Sequence, residues 1–366
     1  MSGSVGILGG GQLGRMLALA GYPLGLRFRF LEPQHPAPVD GLGTVIRAPY
    51  DDVGAVRRLA RGLDVVTYEF ENVPDSTAQL LETLVPVYPP VVALRTAQDR
   101  LAEKQAFERL DIPTSPFQAV TSRTELEEAI GRLGLPAVLK TRRLGYDGKG
   151  QVVIDGPDRV DAAWQALAGT HLMLEGFVSF SRELSILGAR GRDGSTVLYP
   201  LIENEHRHGI LYRSQAPAPD VSEALRKRAE GYLSTLMDGM RYVGVLALEL
   251  FQCGETLIAN EMAPRVHNSG HWTQDSAHTS QFENHLRAVC GLPLGSPEPL
   301  GHAVMLNLIG QIPAIESVLA IPGVKLHLYD KEPRAGRKLG HVNMVGEDPA
   351  EVRAKLVQVE SLLARG

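Results

Sequence analysis

Gly244-Val-Leu-Ala-Leu-Glu-Leu-Phe-Gln-Cys-Gly-Glu-Thr-Leu-Ile-Ala-Asn-Glu-Met-Ala-Pro-Arg-Val-His-Asn-Ser-Gly-His271 decides the fold. Two apolar runs flank a short polar turn at Gly254, the pattern of two antiparallel strands. Each run carries one acid among hydrophobes, Glu249 in the first and Glu261 in the second. Folding about the turn sets the two carboxylates roughly opposite each other on one sheet face, where they can share a divalent cation. Arg265, His267, Asn268, Ser269 and His271 follow, a polar run that no core needs. Carboxylates beside an anion-binding run point to a magnesium-held phosphate next to a second anionic substrate. The plainer reading is that the acids cap strand ends at a wet edge.

The composition bounds the rest. The chain has 366 residues, 44% of them hydrophobic and 22% charged, enough for two or three domains with a sizeable core. A formal net charge of -5 excludes a polycation for nucleic acid or a membrane surface. Two cysteines, Cys253 and Cys290, support neither a zinc ribbon nor a disulfide framework. Glycines interrupt the first apolar run, so no cleavable signal is expected, and no run reaches the length of a transmembrane helix. The expectation is a reduced, cytoplasmic, soluble protein acting on small molecules, with no nucleic acid and no membrane as partner.

Upstream, Ser4–Leu8 is expected as a buried strand, Gly9-Gly-Gly-Gln-Leu-Gly14 as a turn and 15–20 as a helix. Strand, glycine turn and helix give a G-x-G-x-x-G signal its context. Strands at 26–31 and 64–68 and helices near 52–61 and 76–84 continue an open parallel sheet. Ligands in such sheets sit beyond the strand C-termini, which is where Glu69, Glu71 and Asn72 lie. Glu32 ends the second strand, so a ribose-binding NAD reading stays open here.

A helix is predicted over 97–110, stopped by 111–116. Arg100 on it has an ordinary solvated reading. Another short helix is expected at 125–133. The strand 136–140 places Lys140 among apolar residues, where a cation needs an anionic partner or an exit to water. The loop Arg142-Arg-Leu-Gly-Tyr-Asp-Gly-Lys-Gly-Gln151 lacks the P-loop pattern, yet its backbone amides can close over a triphosphate. A helix at 158–167 precedes the strand 173–178, in which Glu175 is placed to accept from an amine or a sugar hydroxyl. Glu183 opens the next strand. Strands are expected at 182–189, 196–202 and 211–215, and helices at 219–237 and 281–289, with Tyr232 and Met237 in the core. After a linker at 295–299, a small final domain is read as strands 303–308 and 324–329 and a helix near 349–364. His302, His327 and His341 look scattered, so a histidine metal site is not expected.

Lys140, the loop from Gly145 to Gln151, Glu175–Val178, Glu183, Glu249 and Asn260-Glu261 occur in the order found in the ATP-grasp ligases. The resemblance goes further. Gly9 to Leu17, Gly145 to Gln151, Met262 to Gln274, Tyr329-Asp-Lys-Glu332 and Gly336 to His341 resemble the 5-(carboxyamino)imidazole ribonucleotide synthases, and the likeness covers nearly the whole chain. It implies an α/β and α+β architecture: an ATP-grasp fold at 93–295, with a lid at about 115–180, between an N-terminal Rossmann-like (pre-ATP-grasp) domain at 1–92 and a small C-terminal domain at 296–366. The implied reaction carboxylates 5-aminoimidazole ribonucleotide with ATP and bicarbonate through carboxyphosphate, in purine synthesis. The implied cofactor is magnesium, with manganese able to substitute, and the implied assembly is a homodimer.

By the same resemblance Arg100 and Lys140 contact ATP, while Gly145, Tyr146, Asp147, Gly148, Lys149, Gly150 and Gln151 form the lid over its phosphates. Glu175, Gly176, Phe177 and Val178 hold adenine, Glu183 the ribose, and His206 belongs to a further ATP-contact segment. Glu249 and Glu261 are the magnesium ligands, with Asn260 beside them. Arg265, His267, Asn268 and Ser269 form the bicarbonate pocket. The nucleotide lies against Gly11, Gln12 and Leu13, and its phosphate meets Lys331, Arg337 and Lys338. Asp147 or His267 takes the amine proton, Asp147 being preferred. Glu69 and Glu71 match only loosely and receive no role. The rivals are a formate-dependent glycinamide ribonucleotide transformylase of the same fold and an NAD-binding oxidoreductase.

Overall fold

The computed structural model describes residues 3–145, 148–167 and 171–364. The chain starts as a four-stranded parallel sheet in the order Thr44–Ile46, Arg27–Leu31, Ser4–Leu8, Val65–Tyr68. Val65–Tyr68 is buried at every position, as a strand covered on both faces must be. The C-terminal ends of these strands deliver Gly9–Gly11, Glu32 and Glu69 to one edge.

The second sheet has nine strands and runs through most of the remaining chain. Its edge is the hairpin expected from sequence, Gly244–Cys253 against Thr256–Ala263. Arg182–Arg190, Ile202–Arg207 and Ile210–Ala216 follow inward. His302–Ile309 then pairs with Ile210–Ala216, so the C-terminal strands extend this sheet instead of forming their own. Leu246 and Leu248 are fully buried under the helix Glu223–Gly239, and each such leucine contributes about 1.5–3 kcal/mol. The third sheet is small and antiparallel, ordered Phe117–Val120, Leu172–Gly176, Ala137–Thr141, Gln151–Ile154. It forms the lid.

Three expectations change. The helix expected over 97–110 begins only at Arg100 and ends at Arg109, and a separate helix, Val91–Ala97, precedes it where none was expected. The break is made by Asp99, whose carboxylate caps the second helix by accepting the amides of Leu101 at 3.0 Å and Ala102 at 3.4 Å. The strand expected over 196–202 is interrupted at Tyr199–Leu201, around Pro200, and resumes as Ile202–Arg207. Lys338–Gly346, absent from the expected elements, is a strand at the heart of the C-terminal region. Its buried positions include His341 and Asn343, which hide the apolar signature of an interior strand. The histidines are also less scattered than their numbering suggests: His327 lies opposite His341, with ring centroids 4.5 Å apart. Among the described residues no helix is long and apolar enough to cross a membrane.

Candidate functional site

The hairpin registers Leu248 with Met262 and Leu250 with Ala259, so Glu249 faces two residues, Asn260 and Glu261. This is a β-bulge, a device that re-aims side chains beside functional sites. Glu249, Asn260 and Glu261 all line one cavity of about 940 Å³. Burial by itself would raise Glu249, but the hydrogen bond from His267, with His206 and Arg265 nearby, holds its carboxyl below the usual range. Glu261 is pushed up, first by burial and then by the charge of Glu249. Glu103, which accepts the Met262 amide at 2.7 Å, is raised by burial and by Glu261. Three acids crowded along one wall of the cavity repel one another, and a hard cation would relieve that repulsion. The donor set therefore fits a divalent ion with a preference for oxygen. Among the described residues no group of three or more His, Cys, Asp or Glu side chains is arranged to hold a metal, so substrate oxygens or water would complete the shell.

His267 sits behind Glu249, with Nε2 3.0 Å from Oε1. The Ser269 amide donates to His267 Nδ1 at 3.3 Å, which leaves the ring proton on Nε2, facing the acid. Ser269 is fully buried, its hydroxyl bonded to Ser185 at 2.8 Å; it supports His267 and does not line the cavity. Asn268 does line it, and both polar atoms of its amide are buried without a partner among the described residues. Arg265 projects across the cavity to Glu71, donating from Nε and, at 3.0 Å, from Nη2. The guanidinium outweighs burial and lowers Glu71. Glu71, left without a role on sequence grounds, is thus the partner that orients the fork of Arg265.

The glycine turn is not an anion cradle. Gly10 donates its amide to Glu32 at 2.7 Å, while Gly11 and Gly14 donate to Glu69 at 2.6 and 2.9 Å. Added at Gly11, a Cβ would fall 2.6 Å from the Glu69 carboxylate, so the turn needs glycine to admit an internal acid. Two carboxylates already occupy the donors that a dinucleotide would need, which removes the NAD reading. Gly11, Gln12 and Leu13 still line the cavity, and Gln12 accepts from Lys331 across it. Burial lowers Lys331 to about 8, with Glu69 pulling the other way. Arg337 and Lys338 stand beside it on the same wall.

On the small antiparallel sheet, Lys140 donates to Glu175 at 2.8 Å. Lys104, on the helix Arg100–Arg109, is 1% exposed and lies 3.9 Å from the same carboxylate. It also donates to Thr114 and to the Ala259 carbonyl, at 2.8 and 3.2 Å. These cations overcome burial and lower Glu175. Glu175, Gly176, Phe177 and Val178 line the cavity where the chain leaves the small sheet for the large one. Glu183 and His206 line it too and are hydrogen-bonded to each other. Arg100 donates to the Thr141 carbonyl at 2.9 Å, close to Gly145. Gly145, Gly148 and Gln151 reach the cavity, whereas Lys149 and Gly150 are not among its lining. Tyr146 and Asp147 lie outside the described residues. Glu103 and Lys104 were missed because an ion on a helix ordinarily marks its wet face.

Residues 105–282 match the model of the ATP-grasp domain, 2–98 that of the ribonucleotide synthetase preATP-grasp domain, and 303–355 that of the phosphoribosylaminoimidazole carboxylase C-terminal domain. N5-carboxyaminoimidazole ribonucleotide synthase of Pseudomonas aeruginosa is 50% identical over 359 residues, covering 98% of this chain and 99% of that protein. The N5-carboxyaminoimidazole ribonucleotide synthetase of Thermus thermophilus superposes with a TM-score of 0.95 at 54% identity, covering 98% of each chain. The Aspergillus clavatus synthase, solved with ADP and 5-aminoimidazole ribonucleotide, superposes with a TM-score of 0.93 at 29% identity over 100% of this chain and 99% of that one. With matches across all three of its parts and half its residues shared with a full-length relative, the chain belongs to the N5-carboxyaminoimidazole ribonucleotide synthases, a family of ATP-grasp ligases.

Proposed function

We propose that this ligase carboxylates 5-aminoimidazole ribonucleotide on its exocyclic amine, using ATP and bicarbonate, in purine biosynthesis. The observation that carries the reading is one cavity walled by the Glu249–Glu261 pair, the Glu71-oriented Arg265 and the Lys331 cluster. It offers separate places for a triphosphate, a small planar anion and a nucleotide phosphate. Formate activation in place of bicarbonate has no supporting feature here, and the named relatives act in carboxylation.

The roles then follow from the walls. Glu175 to Val178 would hold adenine, Glu183 and His206 the ribose, and Lys140, Arg100 and the Gly145–Gln151 loop the phosphates. Glu249 and Glu261, beside Asn260, would hold magnesium or manganese, which when bound spreads charge away from the transferring phosphate. Arg265 presents a planar fork to bicarbonate, and the unpartnered amide of Asn268 can satisfy its remaining oxygen. Gln12 and the Lys331, Arg337 and Lys338 cluster would receive the nucleotide and its phosphate. His267 donates from Nε2 in this arrangement, so it serves as orienter of Glu249, and the amine proton falls to Asp147. The labile carboxyphosphate intermediate gives the lid its purpose, exclusion of water. A cytoplasmic homodimer completes the reading.

The test is phosphate release with ATP, magnesium, bicarbonate and the aminoimidazole nucleotide, omitting each in turn. Product should form only with all four present. Phosphate release of equal rate with or without bicarbonate would overturn the assignment.

A further inference from the structure

Two of the matched family units meet at residues 98–105, and this joint is not a passive linker. Three consecutive residues pair in reverse order with three at the root of the lid. Gln98 accepts from Arg143 at 2.7 Å. Asp99 accepts two bonds from Arg142, at 3.0 and 2.5 Å. Arg100 donates to the Thr141 carbonyl at 2.9 Å, and its amide donates to the Arg142 carbonyl at 2.9 Å.

Gln98 does more than close this ladder. It is 5% exposed, and its Nε2 donates to the carbonyls of Glu71 and Val73 at 2.6 and 2.7 Å. The amide is therefore used on both sides: its two N–H groups grip the loop that carries Glu71, and its oxygen grips the lid arm. Only this orientation satisfies the three partners, because a carbonyl cannot accept from a carbonyl and a guanidinium cannot accept at all. A glutamine serving as mere packing would need the two carbonyl bonds. The third, to an arginine of a different sheet's loop, is what a coupling contact adds.

We infer that Gln98 is a positioning residue for the carboxylation: it ties the root of the ATP lid to the Glu71 loop, so that the lid and the Arg265 pocket adopt their reactive geometry together. The inference rests on the reading under Proposed function. Without the tie, ATP can still react with bicarbonate, but the activated carboxyl is lost to water before it reaches the amine.

The experiment compares phosphate released with nucleotide carboxylated, in the full-length protein with ATP, magnesium, bicarbonate and 5-aminoimidazole ribonucleotide. Wild type should release phosphate and form product in equal amounts. Gln98→Met and Arg143→Met should each raise phosphate per product by about tenfold, the scale of one lost hydrogen bond to a charged group. KM for ATP should stay within about twofold, and the double variant should equal either single one, since both remove the same contact. Arg143→Met leaves both carbonyl bonds of Gln98 in place, so it decides the matter even where Gln98→Met fails to fold. A wild-type ratio in Arg143→Met, or effects that multiply in the double variant, would overturn the inference. Wild-type turnover indifferent to the nucleotide would overturn the functional reading itself, and this inference with it.

Discussion

Nε2 of His267 lies 3.0 Å from Oε1 of Glu249, while the same ring accepts the Ser269 amide at Nδ1. A histidine locked in one tautomer thus aims the acid assigned to the metal. Partners of this kind typically change metal affinity about 10–100-fold when removed. His267→Leu should raise the magnesium concentration for half-maximal turnover by about that factor, measured by titration at saturating ATP. An unchanged requirement would detach His267 from the cation.

The second prediction concerns pH. Burial brings Lys331 down to about 8, so it is protonated below that value and neutral above it. A nucleotide phosphate binds the protonated form. kcat/KM for the nucleotide, which reports the free enzyme, should therefore hold up to about pH 8 and fall beyond it. Arg in place of Lys331 keeps its charge through this range and should abolish the fall. A profile identical in Lys331→Arg and wild type would show that another group is responsible.

How much of this the sequence carried depends on the range of the contact. The hairpin was readable because its turn and both acids lie within 18 residues, Gly244 to Glu261. The bulge that sets Glu249 against Asn260 and Glu261 was not, since an extra residue in a ladder leaves the apolar pattern intact. Glu71 and Arg265 are 194 positions apart, and nothing in either segment names the other. Lys104 obeyed helical spacing, so its burial was invisible until the hairpin packed over it through the Ala259 carbonyl. The glycine turn misled for the opposite reason. Its pattern is local and familiar, but its amides are taken by Glu32 and Glu69 from neighbouring strand ends.

A third prediction addresses stability. Lys104 and Glu175 are 1% and 4% exposed and 3.9 Å apart, and Lys140 shares the acid. Lys104→Met removes one of two compensating cations and leaves the Ala259 carbonyl without that donor. The cost should be about 3 kcal/mol, read as a lower urea midpoint. Glu175 is lowered by these cations, so its contribution is present above the unfolded carboxylate range and is lost as pH falls through its folded value. In Lys104→Met that acid loss should begin at higher pH. Equal midpoints for variant and wild type at neutral pH would show the lysine to be dispensable for the fold.

The last prediction separates orientation from charge at Arg265. Its fork meets both oxygens of Glu71, which fixes the plane in which the remaining donors are offered to bicarbonate. Lysine keeps the charge but has no plane. Arg265→Lys should lower kcat about 100-fold with little change in KM for ATP, because orientation of the reacting group is what is lost. Glu71→Gln keeps the shape of the acid but releases the fork, and should give a smaller loss of the same kind. Combined, the two should be no worse than Arg265→Lys alone, as expected for residues acting through one contact. Fully multiplicative losses in carboxylated product would mean that Glu71 touches the substrate on its own account, and the fork would then need another explanation.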